Sequence, residues 1–190
     1  MEISREALAA LPIRRYEGEV AVLRTEAELH AAMPELLAEP VVGFDTETRP
    51  AFRPGERYLP SLFQAATGRR VYLFPLQRLH CAAVLRPLLA EARIVKAGVS
   101  VADDLKKLKE LFPFEEKNVI DLGTVAKRNG VKQSGVRNLA GLFLGFRIPK
   151  GASTSNWAAH ELRPQQVAYA AMDAWACRAL YLKFRDLGFV

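Results

Sequence analysis

Cysteine is nearly absent from this sequence: Cys81 and Cys177 are the only two among 190 residues, and they lie far apart. Two isolated thiols build neither a disulfide framework nor a zinc cluster, so a reducing, intracellular compartment is expected, with the cytoplasm as the simplest. Histidine is almost as scarce. His30, His80 and His160 follow no metal-ligand spacing, which leaves no imidazole-based metal site. No apolar run approaches the length needed to cross a bilayer, so a membrane is not an expected partner. The first residues, MEISREALAALPIRRYEGE, mix acids and bases without the apolar core of a secretion signal. Repeats, low-complexity tracts and long linkers are also missing, which excludes solenoids and bead-like arrays.

What remains is the composition of a globular chain, 50% hydrophobic and 25% charged, of a length that fits one domain. The net charge of +6 suits a polyanionic partner such as nucleic acid, although charge alone selects no function. Oligomeric state is not readable from these features.

Hydrophobic patterning orders the middle of the chain. VVGFDTE (41–47) reads as a buried strand, and SLFQAAT (61–67) and VYLF (71–74) follow as two more around a turn at Gly68. Apolar residues recur at helical spacing from Gln77 to Ala90. RIVKAGV (93–99) returns to strand, VADDLKKLKELF is a helix ended by Pro113, and NVIDL (118–122) is the last strand. Two helical stretches close the chain, roughly 135–145 and 164–187, the second opened by Pro164. Tight-turned strands followed by alternating strands and helices predict an α/β fold: a mixed central sheet of about five strands flanked by helices. Strands 41–47 and 93–99 should run parallel and adjacent, with a ligand site at their carboxyl ends.

Acidic residues fall where packing explains them poorly. Asp45 and Glu47 stand two apart in a strand, so both carboxylates face one side at the end of a buried run. Two acids there repel each other and resist desolvation unless a cation lies between them. In the helix after 93–99, Asp104 turns toward the apolar stripe of Val101, Leu105, Leu108 and Phe112, whereas Asp103 turns away. A first-turn role complementing the helix dipole suits Asp103. In the last helix, Tyr169, Asp173, Cys177, Leu180 and Phe184 occupy successive turns of one face. Taken singly, Tyr169 reads as packing. Together, four inward acids point to a divalent cation, and an all-carboxylate set suits Mg²⁺ or Mn²⁺ rather than zinc.

FDTET (44–48), GVSVADDLKKL (98–108) and YAAMDA (169–174) resemble, in order and placement, the three motifs of the DEDD exonucleases in their tyrosine-containing branch. That branch is DnaQ-like and includes ribonuclease D and Werner-type exonuclease domains. The resemblance spans about 20–187 and includes Gln64, NVIDLGTVA (118–126), GVRNLAGLFLG (135–145) and the SNW at 155–157. It implies a single ribonuclease H-like 3′–5′ exonuclease domain. Asp45, Glu47, Asp104 and Asp173 are then the metal ligands, and Tyr169 completes the catalytic set. The neighbouring Asp103 could exchange roles with Asp104.

The implied chemistry is two-metal hydrolysis of phosphodiesters from a 3′ end, releasing nucleoside 5′-monophosphates. Asp45, Glu47 and Asp173 would hold one ion, Asp45 would bridge to a second that Asp104 reaches, and Tyr169 would position the attacking water. Substrate contacts are expected from Thr46, Thr48, Arg49 and Phe52 around the catalytic strand, and from Lys150 and Trp157 before the last motif. Lys127, Arg128, Lys132 and Arg137 form a second basic cluster that could track a backbone. The expected partner is a single-stranded or recessed 3′ end, DNA first. An RNA-processing enzyme like ribonuclease D, a silent nucleic-acid-binding module and an acidic-pocket phosphatase stand as alternatives.

Overall fold

The computed structural model describes all 190 residues. The chain runs α1 (Arg5–Ala10), β1 (Glu19–Val22), α2 (Glu26–Ala38), β2 (Val41–Glu47), β3 (Leu62–Ala66), β4 (Arg70–Pro75), α3 (Ala82–Ala90), β5 (Val95–Gly98), α4 (Ala102–Leu111), β6 (Val119–Asp121), α5 (Leu122–Arg128) and α6 (Val136–Leu139). A π-helical turn (Ala140–Leu144) and α7 (Pro164–Asp186) complete it. One six-stranded sheet has the order β1-β4-β3-β2-β5-β6. β2 pairs antiparallel with β3 and parallel with β5, so the expected central pair is present.

Each face of the sheet buries a different set of side chains. Phe44, Phe63 and Phe74 turn to one side and pack with Leu29, Leu36, Leu85, Leu88, Leu105 and Leu108 from α2, α3 and α4. The other side is covered by α7, whose Ala170, Ala171 and Ala174 meet Leu62, Ala66 and Leu73. Farther along, Cys177, Leu180 and Phe184 meet Ala97 and α5. Small residues on α7 let a 23-residue helix lie close to the strands.

Four local expectations needed adjustment. The sheet has a sixth strand, because β1 adds in parallel to the free edge of β4. The 77–90 helix starts only at Ala82, after a turn at 76–78. The stretch 135–145 is not one α-helix: α6 widens into the π-helical turn and stops at Gly145, whose φ of 72° ends it in the left-handed region. At the β3–β4 turn the work falls to Thr67 rather than Gly68. The Thr67 hydroxyl accepts from the backbone N–H groups of Arg69 (3.2 Å) and Arg70 (3.1 Å) and bonds Glu35 (2.8 Å).

Candidate active site

β2 delivers the first two acids, and Gly43 decides what meets them. Gly43, Asp45 and Glu47 share the face under α7. A Cβ on Gly43 would collide with the Ala174 carbonyl and the Arg178 backbone nitrogen, so its absence lets α7 rest directly on β2. Arg178 then fastens the helix: its guanidinium donates to the Val41 carbonyl (3.1 Å) and pairs with Glu39 (3.3 Å). Five residues before Arg178, Asp173 is carried to the end of β2. One carboxylate oxygen from each of Asp45, Glu47 and Asp173 lies within 4.8 Å of the other two.

This trio repels itself. Ten ion pairs link acids and bases elsewhere in the molecule, and none includes Asp45, Glu47, Asp104 or Asp173. Burial, followed by the charges of Asp173 and Asp104, pushes Asp45 well above the usual carboxylate range. Burial and then Asp45 push Glu47 up to about 9. Burial raises Asp173 to about 6, against the opposing pull of the Tyr169 hydroxyl and the Arg137 charge. Such a set ionises together only with added positive charge in its midst. Three hard oxygen donors without sulfur or imidazole are the set that an oxygen-seeking divalent cation takes, so the residues fit a metal site.

Asp104 arrives from the opposite layer. Thr46 alternates away from Asp45 and Glu47, and its hydroxyl donates to Asp104 Oδ1 at 2.5 Å. The fourth acid therefore stands outside the 4.8 Å trio, coupled to it through its effect on Asp45. Thr46, expected at the substrate, is 8% exposed with its hydroxyl on this carboxylate. Asp103 points away and pairs with Lys107 at 2.6 Å, which separates its place from that of Asp104. The turn that aims α4 carries Ser100 at φ 60°. Asp121, a residue not singled out above for any role, braces it by accepting from the N–H groups of Ser100 (3.2 Å), Gly123 (2.8 Å) and Thr124 (3.1 Å).

Tyr169 stands one turn before Asp173, its phenol pushed above its ordinary value by burial and the neighbouring acids. Gly151 lies against its ring, where a Cβ would overlap the aromatic carbons. Trp157 supports it from behind, ring centroids 6.0 Å apart. Only 2% of Trp157 is exposed, and its indole N–H donates to the Ser153 carbonyl (3.3 Å). The structure thus places Trp157, expected at the substrate, in the apolar layer with Leu62, Ala170 and Ala171, where its large apolar area is buried. Lys150 is exposed next to Gly151, and Thr48 is half-buried at the end of β2.

In the loop that follows, the Arg49 guanidinium covers the Tyr58 ring at 4.1 Å, Arg57 pairs with Glu110, and Phe52 projects with 82% of its surface exposed. The second basic cluster does not hold together. Lys127, Arg128 and Lys132 are exposed, and Lys132 pairs with Glu2. Arg137 turns inward instead, donating to the Ile148 carbonyl (3.3 Å) and lying near enough to Asp173 to lower its proton affinity. A cavity of about 410 Å³ adjoins the site beyond Leu62 and Trp157, but none of the four acids lines it. The candidate metal site at the acidic end of β2 is therefore separate from this cavity.

A mixed α/β sheet with carboxylates at the end of its central strand is the ribonuclease H-like arrangement. The family model described as 3′–5′ exonuclease matches residues 20–188, and the chain belongs to that family. Mouse bifunctional 3′–5′ exonuclease/ATP-dependent helicase WRN is 34% identical over 155 residues, covering 78% of this chain and 11% of its own length. Human exonuclease 3′–5′ domain-containing protein 2 is 31% identical over 185 residues, covering 89% and 30%. The chain thus spans less than a third of these relatives. Among solved structures, the Aedes aegypti Nibbler EXO domain superposes with a TM-score of 0.81 at 21% identity, covering 92% of this chain and 93% of that one. Escherichia coli RNase D superposes at 0.79 and 21% identity, covering 90% and 47%. These likenesses show a shared fold.

Proposed function

We propose that the molecule removes nucleotides one at a time from the 3′ end of DNA, as a two-metal phosphodiesterase releasing nucleoside 5′-monophosphates. The observation that carries this reading is the trio of Asp45, Glu47 and Asp173 oxygens within 4.8 Å, none of them in an ion pair, with Tyr169 one helical turn before Asp173. Asp45, Glu47 and Asp173 would hold one divalent cation, Mg²⁺ or Mn²⁺, and Asp104 would serve a second. Bound cations supply the positive charge that activates a water and offsets charge on the departing 3′ oxygen. Tyr169 stays a neutral phenol at physiological pH, so its role is to orient the water by a hydrogen bond rather than to remove its proton.

The loop carrying Arg49 and Phe52, together with the exposed Lys150, is the proposed grip on the terminal nucleotides of a single-stranded or recessed end. Residues 20–188 form the proposed catalytic unit. No helix is long and apolar enough to cross a membrane, and the cytoplasm is the proposed place of work.

The test is digestion of 3′- and 5′-labelled single-stranded DNA, recessed duplex and RNA with Mg²⁺, Mn²⁺ or EDTA. Metal-dependent loss of the 3′ label from DNA, leaving a shortening 5′-labelled ladder, is expected, and Asp45→Ala should abolish it. Faster digestion of RNA would move the reading to an RNA-processing enzyme. Binding without cleavage under every metal condition would make the molecule a silent nucleic-acid-binding module.

A further inference from the structure

Gln64 is an anomaly in the apolar layer under α7. Its side chain is 0% exposed, yet neither the amide nitrogen nor the amide oxygen has a protein hydrogen-bond partner. A buried amide without partners opposes folding, because it has surrendered its water and received nothing in return. Its surroundings are hydrocarbon: Leu62 and Ala66 flank it on β3, and Leu73 stands opposite on β4. On its other side the registered neighbour across β2 is Asp45, whose side chain shares the same face. Glu47 lies diagonally beyond, opposite Leu62. Asp45 Oδ1 already accepts from the Thr46 N–H at 2.8 Å, which leaves Oδ2 to be oriented by something else.

We infer that Gln64 is a positioning residue for the metal site, its amide N–H donating to the Asp45 carboxylate once a divalent cation is bound. The inference rests on the proposed metal site above. It follows from three facts taken together: a sealed side chain, two idle polar atoms, and registry with the central acid. A filler residue at this position would be apolar, as its neighbours are. Partners of this kind fix the orientation of a ligand and hold it in its charged form, and their loss typically weakens metal binding.

The experiment compares the wild type, Gln64→Leu and a control, Leu73→Val, which trims the same apolar patch without touching a polar group. Thermal midpoints are read in EDTA and across a titration of Mn²⁺, with hydrolysis followed over the same titration. In EDTA, Gln64→Leu should melt no lower than wild type, because an apolar side chain of similar shape replaces an unsatisfied amide. Its half-maximal Mn²⁺ concentration, in melting and in hydrolysis, should rise about tenfold or more, while Leu73→Val keeps the wild-type value. An unchanged Mn²⁺ midpoint in Gln64→Leu overturns the inference, as does an equal shift in Leu73→Val. A wild type whose melting ignores Mn²⁺ overturns it as well. A Mn²⁺ response without hydrolysis of any polymer sinks the proposed function and leaves the role of Gln64 standing.

Discussion

Replacing Glu47 by glutamine should make the metal-free protein more stable at alkaline pH and less responsive to metal. Glu47 is 8% exposed, and burial followed by repulsion from Asp45 lifts it from an ordinary 4.5 to about 9. A carboxyl raised in this way binds its proton more tightly folded than unfolded. Its contribution to stability is therefore full below about 4.5 and is lost as pH rises toward 9. Each pH unit inside that window removes up to about 1.4 kcal/mol, so moving from pH 5 to pH 8 removes about 4 kcal/mol at most. Local relaxation and water entry reduce this to about 2 kcal/mol, or about 5 °C in Tm for a chain of this size. Glutamine does not titrate, and the change at Asp173 near pH 6 is common to both proteins. Differential scanning fluorimetry in EDTA from pH 5 to 9 should show the wild type losing Tm faster than Glu47→Gln. Saturating Mn²⁺ at pH 8 should reverse the order, because only the wild type gains a full set of charged ligands. Parallel pH profiles in EDTA, or equal Mn²⁺ shifts, would refute the reasoning.

Three further substitutions separate chemistry, packing and grip. Tyr169→Phe keeps the ring against Trp157 but removes the hydroxyl, so kcat should fall about 10²-fold with Tm unchanged; wild-type turnover would remove Tyr169 from the reaction. Trp157→Ala empties a core site and should cost about 3–5 kcal/mol in chemical denaturation. A raised KM with intact stability would instead return Trp157 to the substrate. Phe52→Ala, at an exposed tip, should leave stability within about 0.5 kcal/mol while raising KM for single-stranded DNA about tenfold through lost base stacking. An unchanged KM would take the loop out of the binding surface.

The readable parts of the molecule are those in which a residue conflicts with its immediate neighbours. Asp45 and Glu47 stand out because acids two apart at the end of a buried strand repel each other whatever the rest of the fold does. Asp173 stands out because it interrupts an apolar helical stripe, and the structure buries it beside Cys177, Leu180 and Phe184. β1 has no such conflict: four half-exposed residues at an edge become a strand only when β4 offers them a partner. The helix α2 carries a local start signal in its Thr25–Glu28 capping box, but Pro34 inside it argues for a break. The partners of the candidate ligands lie further out of reach. That Thr46 holds Asp104 depends on which face of β2 meets α4, across 58 residues of chain. Arg137 reads in the sequence as one more surface charge beside Lys127, Arg128 and Lys132, and only the turn of α6 against α7 brings it toward Asp173. Gln64 is the extreme case. As a single polar residue in a strand it conflicts with nothing nearby, and its oddity exists only once α7 has sealed it beside Asp45 without a partner. The acids of the candidate site are therefore visible from local cost alone, whereas the residues that hold them in place are defined by contacts that the fold creates.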